Sequence, residues 1–74
     1  MPRKIRELKA DLRQAGCTMK PGKGSHTGWR HPLVPGKVTL AGHDGDDAKE
    51  YQEAQVRAFL RKIRRAREQA EGQS

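Results

Sequence analysis

A glycine-rich turn that carries a lysine is followed directly by a serine and a histidine in this chain. The segment runs Pro21-Gly22-Lys23-Gly24-Ser25-His26. The backbone N–H groups from Gly22 to Ser25 can form a concave site for an anion, and Lys23 adds a positive charge beside them. A histidine exchanges a proton near neutral pH. These residues predict a site that holds a phosphate and moves a proton; a hairpin turn that needs glycine only for its backbone conformation is the alternative.

RNA suits such a site because its 2′-hydroxyl supplies the nucleophile for strand cleavage. In that scheme His26 is catalytic: it takes the 2′ proton or protonates the leaving 5′ oxygen, and neighbouring cations offset charge on the phosphate. If His26 only contacts a phosphate, the same residues describe a non-catalytic RNA-binding module. The residues expected to bind RNA and its phosphate are Lys20, Gly22, Lys23, Gly24, Ser25 and Arg30.

A metal site is the other chemistry that these residue types allow. Suitable ligand atoms occur in Cys17, His26, His31, His43 and Asp44, but no pair has the spacing of a zinc finger. We therefore expect neither a metal ion nor another cofactor. Cys17 is interpreted as a small core residue, His31 as a structural residue, and the segment around His43 as a loop that leads into a helix cap.

The charge of the chain favours a polyanionic partner. Sixteen lysine and arginine residues against nine aspartate and glutamate residues give a net charge of +7. Residues 1–42 carry nine basic and two acidic side chains, whereas residues 43–74 carry seven of each. A basic first half favours RNA or DNA as the partner. An acidic protein partner is the alternative, which makes the chain a protein-interaction module.

The length and composition indicate one small domain. A chain of 74 residues buries a modest core and is marginal without a partner, a metal or a disulfide. Cys17 is the only cysteine, so a disulfide within the chain is excluded and a reducing cytosol is expected. No apolar run approaches the roughly 20 residues of a membrane span, and no apolar signal core follows the basic start. We expect a cytoplasmic protein with no membrane contact.

Hydrophobic periodicity and turn residues predict the first helix and three short strands. The helix carries Ile5, Leu8 and Leu12 on one stripe and ends before Gly16. Closely spaced strands predict antiparallel hairpins. The predicted elements are a helix at 2–15, strands at 17–20, 25–31 and 37–40, and turns at 21–24 and 35–36.

A second helix is predicted in the last third of the chain. Asp46 and Asp47 are N-cap candidates, and Glu50 stands three residues after Asp47 as in a capping box. Tyr51 fits the apolar stripe of this helix poorly, so residues 47–53 are interpreted as a separate turn before it. Residues 68–74 are polar and predicted to fray. The stripe consists of Val56, Phe59, Leu60 and Ile63.

The alternation of side chains along the strands separates two faces of the sheet. One face is apolar and should pack on both helices; it carries Cys17, Met19, Thr27, Trp29, Val38 and Leu40. The other is polar and open; it carries Thr18, Lys20, His26, Gly28, Arg30, Lys37 and Thr39. The predicted fold is therefore α+β, with α-β-β-β-α order and two helices on one face of a three-stranded antiparallel sheet. Double-stranded-RNA-binding domains have this architecture.

The order of motifs in the chain resembles the HicA toxins. The opening Ile5-Arg6-Glu7-Leu8 and the glycine at position 16 are similar as well, and the resemblance covers roughly residues 3 to 64. The chain departs from short members of the family at residues 42–53 and after Ile63. The motifs are Gly24-Ser25-His26 after a basic helix, Trp29-Arg30-His31-Pro32, Gly36-Lys37-Val38-Thr39 and Gly42-His43-Asp44.

This resemblance implies the toxin of a type II toxin–antitoxin pair, with a double-stranded-RNA-binding-like fold and mRNA as the substrate. It implies that His26 matches the catalytic histidine of the family, and that Gly24 and Ser25 match the turn that presents it. The implied partner is a HicB-type antitoxin, with a higher-order toxin–antitoxin assembly possible. We interpret residues 1–67 as one HicA-like domain that acts as a metal-independent endoribonuclease, and residues 68–74 as a tail.

Overall fold

Helix α1 opens the fold and spans Ile5–Gln14. The structure, a computed structural model, describes residues 2–72. The Lys4 N–H donates to Glu7 Oε2 (2.7 Å), which gives one N-terminal amide of the helix a partner. At the other end, Gly16 N–H donates to Arg13 O and Cys17 N–H to Leu12 O, the two hydrogen bonds of a Schellman motif. The predicted stop at Gly16 is confirmed, and the helix starts three residues later than predicted.

The three predicted strands form one antiparallel sheet. They span Thr18–Pro21 (β1), Thr27–His31 (β2) and Val34–Leu40 (β3), in the spatial order β1-β2-β3. Trp29 in the central strand pairs with Met19 of β1 and Val38 of β3. Two consecutive hairpins therefore build the sheet, as predicted, and leave β1 and β3 as its edges.

The predicted turn at Pro35-Gly36 is wrong, because both residues lie within β3. The chain reverses instead between His31 and Val34, which pair directly. The next pair is Trp29 with Val38. Between these two pairs β3 has three residues and β2 has one, so β3 forms a bulge. Gly36 supplies the positive φ of this bulge (+86°). A proline is tolerated there because an edge strand need not donate from every position.

His31 has the structural role that was predicted for it. The side chain is buried, and both ring nitrogens are engaged. Nδ1 accepts the N–H of Leu33 (3.1 Å), and Nε2 lies 3.0 Å from the carbonyl oxygen of Ala15. The first bond makes Nδ1 an acceptor, so Nε2 is the donor to Ala15. Arg67 Nη2 donates to the same carbonyl, so the end of β2, the end of α1 and the late part of α2 meet at one oxygen.

Helix α2 spans Glu50–Gly72 without interruption. The separate turn predicted for residues 47–53 is therefore wrong: Tyr51 lies in the first turn of the helix, with 57% of its surface exposed. Residues 68–72, which were predicted to fray, continue the helix as exposed positions, and residues 73–74 lie outside the described residues. The division into a domain of residues 1–67 and a tail stays a prediction.

The predicted caps of α2 are also wrong, because neither aspartate is free to cap the helix. Asp46 Oδ2 accepts the N–H of His43 (2.9 Å), and Asp47 forms an ion pair with Lys4. Gln52 caps the helix instead: its Oε1 accepts the N–H of Lys49 (2.9 Å). Its Nε2 donates to Ala41 O (2.9 Å), which joins the start of α2 to the end of β3.

The core lies between one face of the sheet and both helices, as predicted. Trp29 is completely buried, and Arg13 lies over its ring at 5.5 Å from the centroid. Cys17 packs against the core, and burial raises the pKa of its thiol, which confirms its interpretation as a packing residue. The core comprises Ile5, Leu8, Leu12, Trp29, Val34, Val38, Leu40, Ala48, Val56, Phe59 and Ile63.

Met19 departs from the predicted core face. It is 42% exposed, and all four residues of β1 are exposed, because this strand forms an outer edge of the sheet. The α-β-β-β-α order and the placement of both helices on the Trp29 face are nonetheless confirmed. Within residues 2–72, neither helix has the length and apolarity that crossing a membrane requires.

The buried Gln52 side chain yields a test of the helix cap. Gln52→Ala leaves the N–H of Lys49 and the carbonyl of Ala41 without these partners, so we expect the free energy of unfolding to fall by about 1–3 kcal/mol. Urea denaturation measures the loss. Gln69→Ala, at an exposed position of the same helix, should change stability by less than about 0.5 kcal/mol. Equal effects of the two substitutions would contradict the capping role.

Candidate functional site

The turn between β1 and β2 places His26 directly before the first residue of β2. The Gly22 N–H donates to His26 O (2.8 Å), and the His26 N–H donates to Lys23 O (3.1 Å). Gly24 has φ +60° at the first central position, and Ser25 does not have a positive φ. This is the pattern of a type II′ turn, which matches the twist of a hairpin. The predicted strand at 25–31 therefore begins too early, because these hydrogen bonds hold residues 22–26 as a turn.

Three of the four predicted anion-binding amides remain available in this turn. Gly22 uses its N–H to close the hairpin. The N–H groups of Lys23, Gly24 and Ser25 have no hydrogen-bond partner within residues 2–72. A Cβ built on Gly24 would meet no atom within 4 Å, so the backbone there faces open space. An anion can therefore approach these three amides and the exposed Lys23.

Ser25 links this turn to the loop that follows β3. Its Oγ accepts the N–H of Gly42 (3.1 Å), so the residue before His26 is bonded to the residue before His43. The hydroxyl hydrogen of Ser25 has no acceptor within the described part of the chain. Ser25 can thus hold the loop and still donate a hydrogen bond to a phosphate.

The loop of residues 41–49 is held from its other side by α1. The N–H of Ile5 donates to Asp46 O (2.9 Å), and the N–H of Arg6 donates to Asp44 O (3.1 Å). Asp46 and His43 exchange hydrogen bonds, since the Asp46 N–H donates to His43 O (3.0 Å) and its carboxylate accepts the His43 N–H. The first amides of α1 are thereby satisfied by this loop. The loop has a defined backbone between the sheet and the helix.

A salt bridge lies at the base of this loop. Lys9 Nζ is 2.7 Å from Asp44 Oδ1. The hydrogen bond from Lys9 lowers the pKa of the Asp44 carboxyl, and the positive charge of Lys9 lowers it further. The Lys9 side chain is only 14% exposed. A cation is therefore fixed beside the turn that carries His26.

His26 stands at the junction of two hollows. Its side chain is exposed, and its imidazole makes no hydrogen bond within residues 2–72. The larger hollow, of about 570 Å³, lies between β3 and α2; its lining includes Lys37, Thr39, Tyr51, Gln55 and Lys62. The smaller, of about 330 Å³, lies between the turn, α1 and the loop; its lining includes Lys9, Gly24, Ser25, His43 and Asp44.

The open face of the sheet is polar and basic, as predicted. Lys20, Arg30 and Lys37 border a small hollow of about 120 Å³ on this face, together with Thr18 and Gly28. His26 and Arg30 border different hollows, and the shared face of these two side chains stays a prediction. Lys37 borders both this face and the larger hollow beside His26, so it connects the two regions.

The sequence interpretation did not assign a site role to several residues that lie beside His26. His43 was assigned to a loop and Lys9 was given no role, although both border the smaller hollow. Lys37 was placed on the polar face but not in the site. Tyr51, whose poor fit to the apolar stripe predicted that it lies outside the core, borders the larger hollow. Within residues 2–72, no three His, Cys, Asp or Glu side chains are grouped as a metal site requires.

Comparison with known proteins places this arrangement in a family. Residues 5–67 match the model of a family described as the HicA toxin of bacterial toxin–antitoxin systems. The match starts at the first residue of α1 and extends far into α2, so it includes the whole sheet, the turn of residues 22–26 and the loop of residues 41–49. No curated protein and no solved structure matches the chain.

The bond between Ser25 and Gly42 can be tested by removing its acceptor. Ser25→Ala should lower the free energy of unfolding by about 0.5–1.5 kcal/mol, since one partly buried hydrogen bond is lost. The Gly42 amide should also exchange its hydrogen faster, as NMR would measure. His26→Ala is the matched control in the same turn, because the imidazole makes no such bond. Unchanged exchange at Gly42 in the Ser25 variant would refute the link.

Proposed function

Because this chain belongs to the HicA family of toxins from bacterial toxin–antitoxin systems, we propose that it cleaves mRNA as a metal-independent endoribonuclease. His26 acts as the general acid or base. The observation that carries the proposal is the position of this imidazole: exposed, without a hydrogen-bond partner in residues 2–72, and at the junction of two hollows. A histidine in such a place can exchange protons with a bound substrate.

The proposed reaction uses the nucleophile that RNA itself supplies. The 2′-oxygen attacks the adjacent phosphorus as its proton is removed, and the bond between phosphorus and the 5′-oxygen breaks as that oxygen gains a proton. The products are a 2′,3′-cyclic phosphate and a 5′-hydroxyl. Negative charge on the non-bridging oxygens is stabilised by the free amides of Lys23, Gly24 and Ser25 and by the ammonium group of Lys23.

The proposed RNA path runs from the open face of the sheet to His26. Lys20 and Arg30 lie on this face, and Lys37 lies between it and the hollow beside His26. Three cations along one surface suit a chain of phosphates. Gly22 supports the path indirectly, because its N–H closes the turn that presents the three free amides.

The proposed protein partner is a HicB-type antitoxin that covers His26 and blocks RNA. The charge of the toxin supports this proposal, since a net charge of +7 favours a partner with acidic side chains at the contact. Antitoxin and RNA then compete for one surface. The two proteins can assemble further into a higher-order complex, and we expect the toxin to act in the cytoplasm, where mRNA is translated.

The catalytic role of His26 can be tested with His26→Ala. Loss of a proton-transfer group should reduce the cleavage rate by about 10²–10⁴-fold. Most of the RNA affinity should remain, because the free amides of the turn and the cations Lys20, Lys23, Arg30 and Lys37 are unchanged in this variant. The rates of wild type, variant and the control Gln69→Ala are measured on single-stranded RNA with EDTA present.

The outcomes of this experiment separate the alternatives. Loss of cleavage in the His26 variant alone, with binding retained, supports the proposal. Cleavage that survives the substitution would exclude His26 as the proton-transfer residue. A folded wild type that binds RNA without cutting it would identify a non-catalytic RNA-binding module instead.

The basic path can be tested through the salt dependence of RNA binding. Lys37→Ala and Lys20→Ala each remove one phosphate contact, so the slope of log K against log[salt] should become shallower by about 0.7 for each on single-stranded RNA. Arg57→Ala is the matched control, because Arg57 lies beside Leu60 and Arg61 on α2 and does not border this face. Equal slopes for the Lys37 and Arg57 variants would show that RNA follows another surface.

A further inference from the structure

A second histidine borders the same hollow as the proposed catalytic residue. His43 and His26 both line the hollow of about 330 Å³ between the turn, α1 and the loop of residues 41–49. Cleavage of RNA through the 2′-hydroxyl needs two proton transfers, one at the nucleophile and one at the leaving oxygen. His26 can carry out one of these proton transfers, and the second requires another proton-transfer group.

The backbone that carries His43 is fixed relative to the backbone that carries His26. The bond between Ser25 Oγ and the Gly42 N–H joins the residues that precede the two histidines. On its other side, Asp46 holds the loop. Its carboxylate accepts the His43 N–H, and its carbonyl oxygen accepts the Ile5 N–H of α1. Both imidazoles are therefore presented from anchored segments to one space.

Both imidazoles are free for proton transfer. Neither His26 nor His43 makes a side-chain hydrogen bond within residues 2–72, and both are exposed. His31 provides the contrast: its ring is buried, and both of its nitrogens are engaged. Of the three histidines, two can thus exchange protons with a substrate, and these are the two that share a hollow.

The same hollow contains a fixed cation. Lys9 borders it and is held by Asp44, whose carboxylate also borders it. An ammonium group in this position can bind a phosphate oxygen, where the negative charge grows as the phosphorus becomes five-coordinate. The hollow thus combines two proton-transfer groups, a cation and the amides of the turn.

We propose that His26 and His43 divide the two proton transfers of RNA cleavage between them. One neutral imidazole accepts the 2′ proton as the bond between O2′ and phosphorus forms. The other, as imidazolium, donates a proton to the 5′-oxygen as its bond to phosphorus breaks. The first histidine ends protonated and the second neutral, and exchange with water restores both. No metal ion or further reactant is needed to balance the reaction.

The proposal rests on the proposed ribonuclease activity and is tested with two RNA substrates. One has the ordinary 5′-oxygen at a single cleavage site. The other has sulfur in place of that bridging oxygen, and a thiolate leaves without a proton because the pKa of a thiol is about 8.5. Cleavage rates are measured under single-turnover conditions for wild type, His26→Ala, His43→Ala and His43→Gln. Gly45→Ala is the control in the same loop, because a Cβ there meets no atom within 4 Å.

On ordinary RNA, both alanine variants should lose about 10²–10⁴-fold in rate. On the sulfur substrate, one of the two alanine variants should recover to near the wild-type rate. The histidine that this variant lacks is the general acid. The other variant, which lacks the general base, should stay slow. His43→Gln, which keeps a polar side chain but cannot transfer a proton, should behave as His43→Ala. The control Gly45→Ala should match wild type on both substrates.

The pH dependence supplies a second readout that a purely structural role would not change. Wild type should show a bell-shaped profile on ordinary RNA. The variant that recovers on the sulfur substrate should lose the fall in rate at high pH, since no acid must stay protonated. The other charged groups that face this hollow are Lys9 and Asp44, and Asp46 contacts the His43 backbone; they are unchanged in every variant.

The remaining outcomes overturn the proposal in distinguishable ways. Wild-type cleavage with a His43→Ala rate within about threefold of it excludes His43 while leaving the ribonuclease function intact. Recovery of both alanine variants on the sulfur substrate, or of neither, also excludes the division of roles. A folded wild type that cleaves neither substrate refutes the ribonuclease function and this proposal together.

Discussion

Burial of Trp29 is the constraint on which the rest of the molecule depends. The ring belongs to the central strand and is completely buried, so two helices must cover that face of the sheet. A chain of 74 residues supplies no third layer in its described part, and the opposite face meets solvent. Contact with solvent permits polar and charged residues there, and this face carries Lys20, Arg30 and Lys37. The surface proposed to bind RNA is the reverse side of the surface that packs on the helices.

The two ends of β2 show how environment assigns different roles to one residue type. His31 is the last residue of the strand, paired with Val34, and it uses both ring nitrogens within the protein. His26 precedes the strand and presents an uncommitted ring to two hollows. The difference is set by local geometry. The first ring is buried and bonded to the end of α1, and the second belongs to an exposed turn that backbone hydrogen bonds close and that Ser25 joins to Gly42. Residue type by itself does not distinguish the two.

Periodicity and turn residues predicted the order of elements and most of the core, because burial imposes those patterns directly on the chain. Pro35 and Gly36 misled the prediction, since a bulge in an edge strand requires the same residues as a turn. The cap of α2 was missed because it is a side chain within the helix. Gln52 accepts the Lys49 N–H and donates to the Ala41 carbonyl, which is 11 residues away in the sequence. The position of His43 could not be predicted, as it depends on the bond between Ser25 and Gly42, which are 17 residues apart.

The ion pair of Lys4 with Asp47 joins residues that are 43 positions apart. The hairpin that presents His26 closes over only a few residues, whereas the loop that carries His43 takes its place only when α1 docks beside it. Closing a long stretch of chain carries a larger entropic penalty than closing a short one, and contacts of high sequence separation slow folding. We therefore expect the two halves of the site to form at different times: the turn with the sheet, and the loop with the last long-range contacts of the fold.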